Sequence, residues 1–85
     1  MTEIAFKKWD GKRVRFKKCA FKYSLAREEY EGTIEIVPEK LTLWRNGAYR
    51  NYDHIGFYLH RDEGKSIYFD YSQIKLIFFI EELKS

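Results

Sequence analysis

The sequence predicts an all-β domain, a small antiparallel barrel of five or six strands with a short N-terminal helix. Three observations predict it. Apolar residues recur at every second position through most of the chain, as in "KRVRFKK" at 12–18 and "EGTIEIV" at 31–37, which is the period of a strand half buried against a core. Turn signals punctuate the chain at short intervals, notably Asn46-Gly47 and "DEGK" at 62–65. Sixteen of the 85 residues are Phe, Tyr or Trp. So short a chain buries only a modest share of its surface, and rings that each bury about 150–250 Å² supply the dense core that one domain of this size needs.

The elements follow in order. In "TEIAFKKW" Thr2 is placed to cap a short helix. In the first strand Val14 and Phe16 alternate with Arg13, Arg15 and Lys17; the apolar phase then slips to Cys19, Phe21 and Tyr23, and a β-bulge near Lys17 and Lys18 would absorb the slip and bend the strand. "SLAREE" at 24–29 reads as a second short helix. Gly32, Ile34 and Ile36 then share one strand face, and Pro38, which cannot donate to a ladder, ends the run. "KLTLW" alternates through Leu41 and Leu43 into the Asn46-Gly47 hairpin, whose residues both tolerate positive φ. The returning strand turns Ile55, Phe57 and Leu59 inward and His54, Tyr58 and His60 outward. "SIYFD" and "IKLIFFIEE" complete the set, joined by "YSQ", a length suited to one tight turn or a single 3₁₀ turn rather than to a hairpin. In the last strand Ile74, Leu76, Phe78 and Ile80 form the inward phase and leave Ile77 and Phe79 on the other face.

This order, from an N-terminal helix and a bent first strand through "YEGTIEI" and a hairpin to "IYFDYSQIKLI", resembles the SH3-like small barrels and, among them, the Sm-like proteins. The resemblance spans roughly residues 2 to 80. Gly32 stands where the Sm-like first motif has its glycine, but Pro38 and Thr42 stand where that family has its Asp and its RNA-contacting Asn. Asp70 and Tyr71 replace the second motif's Arg-Gly. What the resemblance implies is therefore the barrel and a tendency to associate through strand edges, without the base-binding pocket.

Enzyme chemistry finds little support in the motifs. The chain has no Gly-rich phosphate loop, nucleophile elbow or paired-histidine metal helix, and no cofactor signature. His54 and His60 lie about 20 Å apart along one strand, too far to share a metal. The single cysteine, Cys19, sits on the apolar phase and reads as a small buried hydrophobe. One cysteine allows no intrachain disulfide, so a reducing, cytoplasmic setting is expected. No apolar run approaches the roughly 20 residues that cross a bilayer, so no membrane partner is expected. The expectation is a non-enzymatic binding module.

Charge indicates what it binds. The net charge is +3, but residues 1–22 hold eight of the sixteen Lys and Arg against Glu3 and Asp10, a net of +6, while residues 23–85 hold eight against eleven acids, a net of −3. A localised positive patch attracts polyanions. Arg13, Arg15, Lys17, Lys18 and Lys22 are the candidate phosphate contacts, and Trp44, Tyr49, Tyr52 and Tyr58, out of phase with the core or beside the hairpin turn, are candidate stacking rings for single-stranded nucleic acid. The alternative for the strand is cross-strand pairing with Glu28, Glu29, Glu31 and Glu35. The alternative for function is a protein-interaction module, a small inhibitor or adaptor or an oligomer-forming barrel, docking through Ile77 and Phe79 unless the N-terminal segment covers them.

Overall fold

In the computed structural model, which describes residues 1–84, Thr2 starts the fold as expected: its Oγ1 accepts a hydrogen bond from the Ala5 N–H at 3.1 Å. Helix α1 (Glu3–Phe6) runs into a 3₁₀ turn, Lys7–Trp9, and delivers Phe6 to the core. Five strands follow, β1 (Arg13–Cys19), β2 (Arg27–Arg45), β3 (Ala48–His60), β4 (Ile67–Phe69) and β5 (Ile77–Glu82). They form one antiparallel sheet in the order β4-β3-β2-β1-β5. A one-turn helix, α2 (Tyr71–Ile74), links the two edge strands and is capped by Asp70, whose side chain accepts from Ser72 N–H and Gln73 N–H.

The sheet is all-β and antiparallel as predicted, but it does not close into a barrel. Closure would need a ladder between β4 and β5, and none joins them among the described residues. β4 is only three residues long, and the chain after it is spent on the turn of α2.

The core lies on the inner phase of the strands. Phe57 is its centre, with ring centroids 4.6 Å from Phe6, 5.8 Å from Phe16 and 4.8 Å from Phe69. Val14, Ile34, Leu59, Ile74 and Ile77 complete the buried set. Gly56 is required beside it, because a Cβ there would collide with the Tyr68 hydroxyl lying across β3.

Three local expectations are corrected. Residues 24–29 form no helix: Arg27 and Glu28 pair with Cys19 and Lys18 across the β1–β2 ladder, and six residues are too few to offset helix nucleation when a strand partner is at hand. Pro38 does not end its strand, since β2 runs through it to Arg45. Ile34 N–H donates to Lys12 O and Ile36 N–H to Asp10 Oδ1, both away from β3, so by the two-residue period position 38 faces an open edge where no donor is needed. The phase slip falls on the other strand. The register shift does lie between Lys17 and Lys18, but those residues pair with Phe79 and Ile77, so the extra residue is Phe78 of β5. β1 therefore keeps one phase to its end; Lys18 continues the buried side, and Cys19 lies half-buried on the outer side.

The β2–β3 hairpin outruns the body. β1 pairs with β2 only as far as Thr33, and β4 with β3 only over Phe57–Leu59. At the end of the body two carboxylates cap the open edges, Asp10 taking Ile36 N–H at 3.0 Å and Glu3 taking Ile55 N–H at 2.7 Å. Glu39 makes the last contact, accepting from Tyr68 O–H at 2.5 Å and Tyr71 N–H at 3.2 Å. Residues 40–53 beyond it project as a two-stranded arm, closed by Asn46 and Gly47 at φ 52° and 78°. The molecule is 51 Å long against 29 and 24 Å across, and its radius of gyration of 14.2 Å exceeds the about 12 Å of a compact chain this long.

Candidate nucleic-acid interface

The basic strand projects Arg13, Arg15 and Lys17 from one outer face, as the alternation requires, but the flanking strands present acids to that face. Arg13 meets Asp62 at 2.5 Å and Glu31 at 3.6 Å. Arg15 meets Glu81 and lies 3.6 Å from Glu29. Lys12 lies 3.6 Å from Glu82. Cross-strand pairing thus accounts for Arg13 and Arg15. Lys17 has no carboxylate partner among the described residues and rests over the Phe79 ring, 5.4 Å from its centroid.

Lys18 is not on this face. It occupies the inner phase, 2% exposed, and its Nζ reaches out to Glu28 Oε1 at 2.7 Å and Cys19 O at 3.0 Å. That hydrogen bond holds the Glu28 carboxyl below its usual value. Burial, and then Glu28, push the neighbouring Tyr30 hydroxyl up. The proposed protein-docking pair is also divided. Ile77 is in the core at 2% exposure, whereas Phe79 is on the surface, and Phe78, expected inside, is exposed beside it. The bulge at Phe78 is the physical reason, because it reverses the phase between Ile77 and Phe79. The N-terminal segment fills the inner face through Phe6 and leaves Phe78 and Phe79 uncovered.

The arm brings together the other half of the expected site. Trp44 and Tyr49 are cross-strand partners at its tip, with ring centroids 4.7 Å apart, edge to face, and remain 63% and 73% exposed. Tyr52 lies half-buried on the opposite phase beside Leu41. Tyr58 is back on the body, edge-on to Tyr68 at 5.0 Å. Lys40, Arg45 and Arg50 accompany the tip rings, and from Lys40 to Tyr52 there is no Asp or Glu. None of these three cations has a carboxylate partner among the described residues. They were passed over in the sequence because the N-terminal run is denser. An acid-free stretch of thirteen residues around Asn46-Gly47 was the signal that could have found them.

Two histidine contacts were also missed. His54 Nδ1 lies 3.0 Å from Glu3 Oε2, and its ring stacks on Tyr71 at 4.1 Å. Burial alone would raise the Glu3 carboxyl, but the bonds from His54 and Ile55 N–H outweigh it and lower it. His60 links Ser66 Oγ and Glu35 Oε1, each at 2.7 Å. The chain Ser66–His60–Glu35 has the residue types of a nucleophile relay, but it lies open on the outer sheet face, whereas acyl transfer needs a cavity and oxyanion donors around the serine. Two clefts lie elsewhere, one bordered by Glu29, Tyr30, Glu31 and the 61–63 turn, the other by Phe21 and Lys22 with Tyr71, Ser72, Gln73, Lys75 and Leu76. Among the described residues no three His, Cys, Asp or Glu side chains converge on a metal position. No protein-family model matches the chain, and neither a curated protein nor a solved structure is significantly similar to it.

Proposed function

We propose that this chain is a non-enzymatic binding module for nucleic acid, of low sequence specificity, and that the β2–β3 arm is its grip. The acid-free run from Lys40 to Tyr52 carries the reading: Lys40 shares the face of the exposed Trp44–Tyr49 pair, and Arg45 and Arg50 lie on the other face of the same ribbon. Lys40, Arg45 and Arg50 would neutralise phosphates and supply a salt-dependent affinity. The tip rings would stack on bases, which favours single strands and discriminates little among them. Lys17 and Lys22 remain available as further phosphate contacts. The strand order and the helical turn between the last two strands also support reading the sheet as an opened SH3-like barrel.

Anisotropy titration of labelled single-stranded RNA and DNA at two salt concentrations tests the reading. Binding should weaken steeply with salt, fall at least about tenfold in Arg45→Glu/Arg50→Glu, and be unaffected by Arg13→Gln/Arg15→Gln. Absence of binding at low salt, or a loss confined to the Arg13 and Arg15 variant, would remove the arm from the argument. A second reading, a protein-docking module, is supported by Phe78 and Phe79 exposed side by side on the edge strand. A monomer in light scattering at high concentration would take self-association out of it.

A further inference from the structure

The loop between β1 and β2 presents a second, separate surface. Phe21, Tyr23 and Leu25 alternate around it and are 65%, 92% and 91% exposed, while smaller Ala20, Ser24 and Ala26 sit between and beside them. The loop is ordered by its own hydrogen bonds: Ala20 N–H donates to Ala26 O at 2.9 Å, Ser24 N–H to Phe21 O at 3.0 Å, and Ala26 N–H to Ser24 Oγ at 3.0 Å. Tyr23 holds φ at 65°, within the turn that the Ser24 N–H to Phe21 O bond closes. The surroundings are positive. From Lys17 to Arg27 the chain has four cations and no acid, and α2 adds Lys75 just beyond it. Apart from Lys18, these cations have no carboxylate partner among the described residues; Lys22 lies over Tyr23, and Arg27 lies over Phe78 at 4.5 Å.

We infer that this loop is a docking point for an anionic lipid surface, with Phe21, Tyr23 and Leu25 entering the interfacial region and Lys22, Arg27 and Lys75 meeting headgroup phosphates and carboxylates. Exposure and charge together select this occupant. Tyr23 and Leu25 stand almost wholly in solvent, while Phe21 borders the cleft beside α2, and a fluid interface can close around such side chains without a preformed pocket. Aromatic and leucyl side chains suit that depth, backbone groups bonded within the loop lower the cost of entering it, and an unpaired cationic collar is drawn to acidic lipids. Among the described residues no helix is long and apolar enough to cross a membrane; the inferred contact is with the surface. It departs from the sequence expectation of no membrane partner, and it stands independently of the arm.

Co-sedimentation of the intact protein with phosphatidylcholine vesicles, with and without about one-third phosphatidylserine, tests the inference. Binding should require phosphatidylserine, weaken with salt, and fall about tenfold in Leu25→Ser, because a leucine contributes burial but no stacking and no charge. Lys22→Glu/Arg27→Glu should lower it by a similar factor, whereas Arg45→Glu/Arg50→Glu on the arm should leave it unchanged. Leu25→Ser replaces a solvated side chain, so the variant folds. Equal sedimentation with both vesicle types, or vesicle binding that Leu25→Ser does not alter, would overturn the inference. A dimer that Leu25→Ser dissociates would overturn it too, by placing a second copy on the loop.

Discussion

β1 carries four cations in seven residues and the arm three in fourteen, yet the arm is the more available positive surface. The difference comes from what the sheet sets opposite each. β1 lies between β2 and β5, and both answer its outer face with carboxylates at Glu29, Glu31 and Glu81. The arm has left the sheet's other strands behind; Asp53 faces Lys40 in its register, but among the described residues no carboxylate lies within ion-pair distance of its cations. Density of charge along a chain is therefore a poor measure of charge offered to a ligand; the opposing register decides.

The widest test of this contrast separates stability from binding. Phe57→Ala should cost about 3–5 kcal/mol in urea unfolding, as expected for a ring removed from the centre of a core. Trp44→Ala at the arm tip should cost under about 1 kcal/mol and yet weaken single-strand binding, because its ring stands in solvent until a base meets it. Equal stability losses at the two positions would show that the arm is part of the folded body. Charge reversal should separate the two basic regions next. Arg45→Glu/Arg50→Glu is expected to lower affinity about 10- to 100-fold with unfolding unchanged, while Arg13→Glu/Arg15→Glu, which sets acids against acids across two ladders, should lower stability and leave affinity nearly alone.

A smaller effect probes the buried cation. Glu28→Gln would leave Lys18 without its counter-charge and should cost about 1–2 kcal/mol, whereas Lys18→Met, which keeps the length of the chain, should cost less. Because the folded-state pKa of Glu28 lies below its ordinary 4.5, the pair's contribution is present above that value and is lost as the pH falls through the lowered one. An acid titration of wild type against Glu28→Gln should converge there. The smallest change, Gly47→Ala, meets no neighbouring atom and should cost about 1 kcal/mol through its positive φ alone. It would loosen the tip without touching a cation or a ring.

Period-two alternation was enough to predict β1, the NG hairpin and the inward phase of Ile55, Phe57 and Leu59. The Thr2 cap was equally readable, being local; "YSQ" was readable as a short connection rather than a hairpin, but it forms the one-turn α-helix α2, capped by Asp70, and not a 3₁₀ turn. Three things were not. The bulge at Phe78 depends on how β5 aligns with β1, and one residue of offset exchanges Ile77 with Phe78 between core and surface. Pro38 was misread because the direction of its nitrogen depends on which side of β2 is covered. The length of the arm was hidden because strands look alike in sequence whether or not anything packs on them. Of the expected stacking rings, Trp44 and Tyr49 are exposed as anticipated, though Leu43 on the expected inward phase is exposed too because nothing packs on the arm; the neutralisation of Arg13 and Arg15 required the ladder registers.

Pro38 has one further consequence. Along the uncovered margin of β2 the backbone would offer a fresh chain a row of donors on which to add a strand, the templating that begins runaway fibre growth. Asp10 already occupies the donor at Ile36, and the imide at 38 has none to give. An invading strand would find two successive outward positions barren just where the arm leaves the body. Asp10 and Pro38 thereby discourage strand addition at the base of the arm, where the edge of β2 first becomes uncovered.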